Sequence, residues 1–327
     1  MAISLPLSDS LPLSDAPPRG SERGPEPPLG RRIATFLGTR SGKIGVGLLC
    51  ILWTIPTVGL FVSSFRPANK ILTTGWWTVV RHPQFTLANY RDVWSTTGGT
   101  SLGQYFFNTV KITVPATFIP IVIAALAAYA LSWMDFKGRD WVFVGVVALM
   151  VVPIQMAMVP LLSLINQGAH LTISGHTFTL FVIPGVKGSV VSVWIAHTCF
   201  ALPLAIFLLK NFVQALPRDL IEAARIDGAS HLVIFTRVVL PLAVPALASL
   251  AIFQFLWVWN DFLVATVFGP SDLKPLTWKL NDLVGTKGTE WQRLTAGAFI
   301  SMIVPLGVFF SLQRYFVRGL TAGAVKG

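Results

Sequence analysis

"EAARIDGASHLVIFTRVVLP", residues 222–241, sets Glu222, Arg225, Asp227, His231 and Arg237 between two long apolar runs. Only 12% of the 327 residues are charged, about half the fraction of an ordinary soluble domain. A charged island in such a chain is a solvated segment joining elements that avoid water. What those elements are decides the fold.

The chain is 53% hydrophobic with a mean hydropathy of +0.67. Six apolar runs are long enough to cross ~30 Å of hydrocarbon at ~1.5 Å per residue. Spans are expected at 44–65, 105–133, 141–165, 190–212, 240–268 and 294–316, giving an all-α integral membrane protein with six transmembrane helices. Pro56, Pro115, Pro120 and Pro203 inside the runs are no objection, since bundled membrane helices tolerate proline. The run "FTLFVIPG" (178–185) is too short to span and is expected at the outer interface or over the mouth of the bundle. Residues 1–43 are rich in Pro, Gly, Ser and charge and predict a disordered cytoplasmic tail. They lack the apolar core of a signal peptide.

The net charge of +11 does not point to nucleic acid, because most basic residues sit in short segments between apolar runs, where membrane proteins keep their orienting charges. With the N-terminus inside, fifteen of the twenty-five Lys and Arg fall on the cytoplasmic side. That bias favours N-in and C-in, and it puts the quoted stretch in the cytoplasm. Cys50 and Cys199 fall inside apolar runs, with no metal or disulfide spacing. "GTRSGK" (38–43) has the wrong glycine spacing for a phosphate loop and Ile44 where the metal-binding hydroxyl belongs. No nucleophile–base set and no metal site survive, so the chain is not expected to be an enzyme.

The loop 217–241 itself predicts a short surface helix. Pro217 suits its start, Asp219 and Glu222 complement the positive end of its dipole, and Gly228 stops it. Leu220, Ala223, Ala224 and Asp227 share a face at three- and four-residue steps, where the small alanines admit close approach by another protein. A solvated amphipathic loop on lipid headgroups explains the same composition. A second helical segment is expected up to Arg237, with Leu240 and Pro241 leading into the fifth span.

The spacing Glu222-Ala223-Ala224, three residues, Gly228, nine residues, Val238, one residue, Leu240-Pro241 resembles the cytoplasmic signature of permease subunits of ATP-binding-cassette importers, with Val238 replacing an Ile. The resemblance covers nearly all of 44–327. "EAARIDGAS", "FLWVWNDF" (255–262) and "GLTAGAVKG" (319–327) are similar to the carbohydrate branch, of maltose type. "WIAHTCFALPLAIFLLKNF" and "LTAGAFISMIVPLGVFFSLQRYFVRG" are closer still to α-glucoside importer permeases. The leader and the segment 166–189 fit the pattern least, and no role is carried onto them.

The resemblance implies a type I importer permease fold in the inner membrane, with the cytoplasmic helix acting as a coupling helix. It implies a pathway shared with a second, different permease subunit, two ATPase subunits docked beneath, and an extracellular solute-binding protein that delivers sugar. ATP and Mg²⁺ would bind in the ATPases, and no cofactor is expected in this chain. Glu222 would make the polar contact with an ATPase, Ala223, Ala224 and Asp227 the docking face, and Gly228 the turn. The tail, with Gly319, Thr321, Gly323 and Lys326, would reach toward the ATPase interface. The substrate would be a di- or oligosaccharide, with α-glucosides such as maltose or trehalose favoured.

Asp261 is the one acidic residue inside an expected span, and an intramembrane carboxylate is by default a functional residue. Asn260 and Asp261 would hydrogen-bond sugar hydroxyls near the outer end of the pathway, or pair with a neighbouring helix. Trp257 and Trp259 would stack on a sugar ring or belong to an interfacial belt. His197, mid-span in the fourth run, fits a histidine packed against another helix better than a proton relay. An ion-coupled secondary transporter is the competing function, yet it needs more midplane charge and a visible repeat. A membrane-embedded scaffold accounts for the spans and leaves the signature unexplained.

Overall fold

The computed structural model describes residues 29–95, 101–173, 176–182, 184–285 and 290–324. Of the expected disordered tail at 1–43, residues 1–28 lie outside these residues, and 29–43 are helical. Two units divide the chain, one ending at Thr57 and the other running from Val58. Helix α1 (Leu29–Ser64) begins in the first, where Ile44, Leu48 and Trp53 are exposed apolar side chains. After it come α2 (Ala68–Thr73), a 3₁₀ turn (Trp76–Val80) and α3 (Ala88–Trp94). The bundle continues with α4 (Leu102–Trp133), α5 (Arg139–Leu149) and α6 (Ile154–Gln167). Strands β1 (Ala169–Ile173) and β2 (His176–Phe181) form an antiparallel hairpin, so part of the short apolar run is a strand.

Next are α7 (Val190–Gln214), the surface helix α8 (Arg218–Ile226) and α9 (His231–Ile234), which runs through a π-helical turn (Phe235–Val239) into α10 (Leu240–Trp259). Helices α11 (Leu263–Phe268), α12 (Leu276–Gly285) and α13 (Trp291–Ala324) complete the chain. Among the described residues, five helices are long and apolar enough to cross a membrane, or six if α5 and α6 are one bent span.

Two expected spans are broken, each for a local reason. The third is bent by 111° between α5 and α6. Pro153 disfavours helical backbone in the residue before it, so α5 stops at Leu149 and Pro153 flanks the start of α6. The fifth starts earlier than 240, at His231, and ends at Trp259. Its π turn lies just before Pro241, which has no N–H to offer the carbonyl four residues back. The break after Trp259 falls on Asn260 and Asp261, residue types whose side chains compete for backbone groups.

Helix α4 packs along α7 and α10, and α10 along α13. Lipid tails are as apolar as Leu, so close packing rather than the hydrophobic effect must hold spans together. Ala116, Ala124, Ala128 and Ala196 are fully buried at these contacts, and Ala201 and Ala205 nearly so.

Prolines supply a second tie. A proline inside a helix leaves the carbonyl four residues earlier without its helical donor, and in hydrocarbon that group needs another. Pro115 frees the Lys111 carbonyl, and Trp194 Nε1 of α7 donates to it at 3.0 Å. Pro120 frees Ala116, whose carbonyl accepts from Gln254 Nε2 of α10 at 3.2 Å. Pro305 in α13 frees Ser301, whose carbonyl accepts from Trp259 Nε1 of α10 at 3.0 Å. These three bonds join α4, α7, α10 and α13 at chosen heights.

This arrangement predicts a coupling in stability. Gln254→Leu should cost about 1 kcal/mol more in the presence of Pro120 than in a Pro120→Ala background, where Ala116 regains its helical donor. Unfolding of the purified single and double variants in detergent measures it, and equal costs in the two backgrounds would contradict the tie.

Candidate functional site

Helix α8 is short and cannot hold its position alone; isolated helices of this length are unstable in water. Ile221, 1% exposed, anchors it in a cluster with Leu131 of α4, Leu209 and Val213 of α7, and Ile234 and Val239. Ala224 packs against the same cluster. Arg225 Nη2 donates to the Trp133 carbonyl at 2.6 Å, closing the C-terminal end of α4. Beyond the turn, the Tyr129 hydroxyl of α4 is hydrogen-bonded to His231 Nδ1 at 3.0 Å, and its ring lies 5.4 Å from that of Phe235. The helix and the segment after it are thus fixed to α4 on both sides of the turn.

The turn depends on Gly228. Its φ is +77°, in the left-handed region, and a Cβ there would meet nothing within 4 Å. Space is therefore available, and backbone strain is the sole objection to a side chain. Pro217 lies one residue ahead of the helix rather than within it.

Most of the face read in the sequence is outward, and Leu220 at its start is 46% exposed. Glu222, Ala223 and Asp227 are exposed, but Ala224 faces inward and is half-buried against the core. The reason is Ile221, the most strongly buried residue of the helix, which brings Ala224 against the same cluster. Ile226, 86% exposed, joins the outward surface beside Ala223. In the sequence, Ile226 stands between Arg225 and Asp227. Leu240 is half-buried and Pro241 exposed at the start of α10.

Beside α8 lies a polar cavity of about 330 Å³, lined by Arg218, Glu222 and Arg225, by Asp135 and Arg139 after α4, and by Lys210 of α7. Arg139 pairs with Asp135 at 3.2 Å and Asp140 at 3.5 Å. Lys210 Nζ donates to Gln214 and sits 4.0 Å from the centre of the Phe143 ring. Glu222 therefore stands at the rim of a mixed-charge hollow beside an exposed small-residue surface.

At the other end of α10 the expected pathway residues separate. Asp261 accepts from the backbone N–H groups of Val264 and Ala265 at 3.2 and 2.8 Å, capping α11. Its carboxylate is also 3.6 Å from His197 Nε2, with both side chains nearly buried. The Thr277 hydroxyl donates to its carbonyl. Asp261 is thus committed to the fold, paired with a neighbouring helix. Trp259 is 2% exposed, stacked on Phe255 and edge-on to Phe106. It packs in the core and does not face open space.

Trp257 and Asn260 are exposed. Trp257 borders an apolar cavity of about 640 Å³ between the bent α5–α6 pair and Cys199, Phe200 and Leu204 of α7. Asn260 Nδ2 donates back to the Leu256 carbonyl. Of the tail residues, Gly319, Thr321 and Gly323 fall in the last turns of α13, and Lys326 lies outside the described residues.

The chain is similar to known proteins along most of its length. The family profile described as "Binding-protein-dependent transport system inner membrane component" matches residues 120–322. The "Osmoprotective compounds uptake permease protein GgtD" of Synechocystis sp. is 52% identical, covering 86% of this chain and 91% of that protein. The "Alpha-glucoside transport system permease protein AglG" of Rhizobium meliloti is also 52% identical, covering 87% and 96%. Among solved structures, a chain from a bacterial ABC transporter involved in the import of alginate aligns with a TM-score of 0.68 at 20% identity. It covers 90% of this chain and all of its own, a likeness of fold.

Gly228 supplies the test of the site. Forcing a β-branched residue to positive φ costs roughly 1–2 kcal/mol, enough to redirect the turn. Gly228→Val is expected to cut solute uptake at least tenfold at unchanged membrane abundance, whereas Gly228→Asn, a residue that tolerates this region, should retain most of it. Undiminished uptake with Val would remove the turn from the mechanism.

Proposed function

The chain belongs to the family of binding-protein-dependent transport system inner membrane components, and from that premise we propose how this permease of an ATP-binding-cassette importer of sugars or related solutes is driven and what it carries. It pairs with a second, different permease subunit. Two ATPase subunits dock beneath, one gripping the outward surface of α8, and a solute-binding protein delivers substrate on the opposite side. Both termini face the cytoplasm. ATP hydrolysis belongs to the separate ATPase subunits.

The observation that carries the reading is the mounting of α8. A permease without its own nucleotide site must receive mechanical work from outside, and a lever passes on displacement only if it cannot swivel. Ile221 in the core and Arg225 on the Trp133 carbonyl resist that swivel. Glu222, Ala223, Ile226 and Asp227 remain free for a partner. A push on α8 therefore reaches α4 and α7 directly, the most extensively packed pair of spans. Helices α4 and α7 would then rock together and open the pathway to alternate sides.

For the substrate, the relatives narrow the choice. One is named for α-glucosides and another, equally similar, for osmoprotective compounds. Trehalose, an α-linked diglucoside that also protects against osmotic stress, satisfies both descriptions, and maltose satisfies the first. The cavity beside Trp257 offers this chain an aromatic face against apolar walls. The hydrogen bonds that sugar hydroxyls need would come chiefly from the second permease subunit.

Reconstitution with the partner subunits and the cognate binding protein tests the reading. Trehalose or maltose should stimulate ATP hydrolysis and enter proteoliposomes only when ATP is supplied. A binding protein indifferent to α-linked glucosides would overturn the substrate, and uptake by this chain alone without ATP would overturn the mechanism.

A further inference from the structure

The segment between α1 and α3 is an apolar shelf without a function in the account above. Leu72, Trp77, Val80, Phe85 and Leu87 are all more than half exposed, Val80 at 83%. Exposed large apolar side chains in such density mark a contact surface. Two further observations indicate which.

The first is depth. Helix α1 ends at Ser64, yet the Trp76 ring lies against Gly59: a Cβ on Gly59 would sit 2.7 Å from Trp76 Nε1. Gly59 is five residues inside the end of the span, ~7.5 Å at 1.5 Å per residue. The 3₁₀ turn Trp76–Val80 therefore folds back alongside the span instead of projecting away from it. Peripheral helices bury their apolar face by a similar depth, about 5–10 Å.

The second is backbone accounting. Irregular chain near hydrocarbon is stable only where its polar groups are satisfied internally. Arg66 is 4% exposed, and its guanidinium donates to the carbonyls of Lys70 and Thr74 at the end of α2 and to the Thr74 and Thr78 hydroxyls. Asn89 Nδ2 donates to the carbonyls of Ser64 and Arg66, and Thr86 N–H to that of Phe65. The loop is closed on itself and on the end of α1. Exposed Arg81 and His82 follow directly on the apolar turn, and basic residues next to Trp are the composition of the headgroup layer.

We propose that residues 67–87 form an interfacial anchor, inserted into the lipid leaflet at the Ser64 end of the first span, with Trp77 and Val80 among acyl chains and Arg81 at the phosphates. With the N-terminus inside, this is the outer leaflet. The anchor would fix the Ser64 end of α1 at the membrane surface.

Site-directed spin labels on the assembled transporter in lipid nanodiscs test this, in a Cys50→Ser, Cys199→Ser background. Labels at Trp77→Cys and Val80→Cys should collide freely with oxygen and be shielded at least severalfold from a water-soluble nickel chelate. A label at Arg81→Cys should be open to the chelate. Adding Gly59→Val, which removes the seat of Trp76, should raise chelate access at position 77. Chelate access at 77 and 80 equal to that at 81 would overturn the anchor. So would immobile labels closed to both reagents, which indicate a protein partner, or labels shielded only when the binding protein is present. Because none of these readouts involves substrate or ATP, failure of the anchor leaves the transport reading untouched, and the reverse also holds.

Discussion

Hydrocarbon gives an unpaired backbone carbonyl nowhere to go, and the bundle depends on how that constraint is met. Three prolines each release one carbonyl, and a donor on another span takes it up: Trp194 on Lys111, Gln254 on Ala116, Trp259 on Ser301. A proline that would merely weaken a helix in water here becomes an acceptor at a fixed height. Between those points the alanines of α4 and α7 let the backbones approach. Proline bonds set the register, and small residues set the distance.

The same economy governs the surface helix and the break after α10. Helix α8 has no stability of its own, and it inherits position from Ile221 and Arg225. The Arg225 bond satisfies the last turn of α4, so the element that would receive force also completes the helix that would carry it. At the far end of α10, Asp261 caps α11 and meets His197 of α7. That junction turns the break in the fifth span into a fixed bend, with His197 of α7 beside the carboxylate that caps α11. The proposed cycle then moves rigid pieces, since the turn after α8 and the break after α10 are held by named bonds.

Much of this was legible in the sequence. The apolar runs and the surface helix between Pro217 and Gly228 follow from periodicity and residue type. The breaks were less legible. Val151-Val152-Pro153 and Asn260-Asp261 carry local signals for helix ends, but inside long apolar runs hydropathy alone hides them. Spacing puts Leu220, Ala223, Ala224 and Asp227 on one face of α8, and only the surrounding helices decide that Ile221 goes in and half-buries Ala224 with it. Trp259 was indistinguishable from Trp257 for a similar reason: two residues apart on one helix, they point to the core and to open space. The hydrogen bonds from Arg66 to the loop that follows left no pattern in the sequence beyond the residues themselves.

The central claim is that the outward surface of α8 is gripped by a separate ATPase while its inner edge stays in this chain. Cysteine crosslinking of the assembled complex, at Ala223→Cys and at Ala224→Cys in a background lacking Cys50 and Cys199, tests it most directly. The account predicts efficient capture of an ATPase subunit from position 223, sensitive to nucleotide, and little or none from 224. Absence of capture from 223 in a complex that still transports would contradict it.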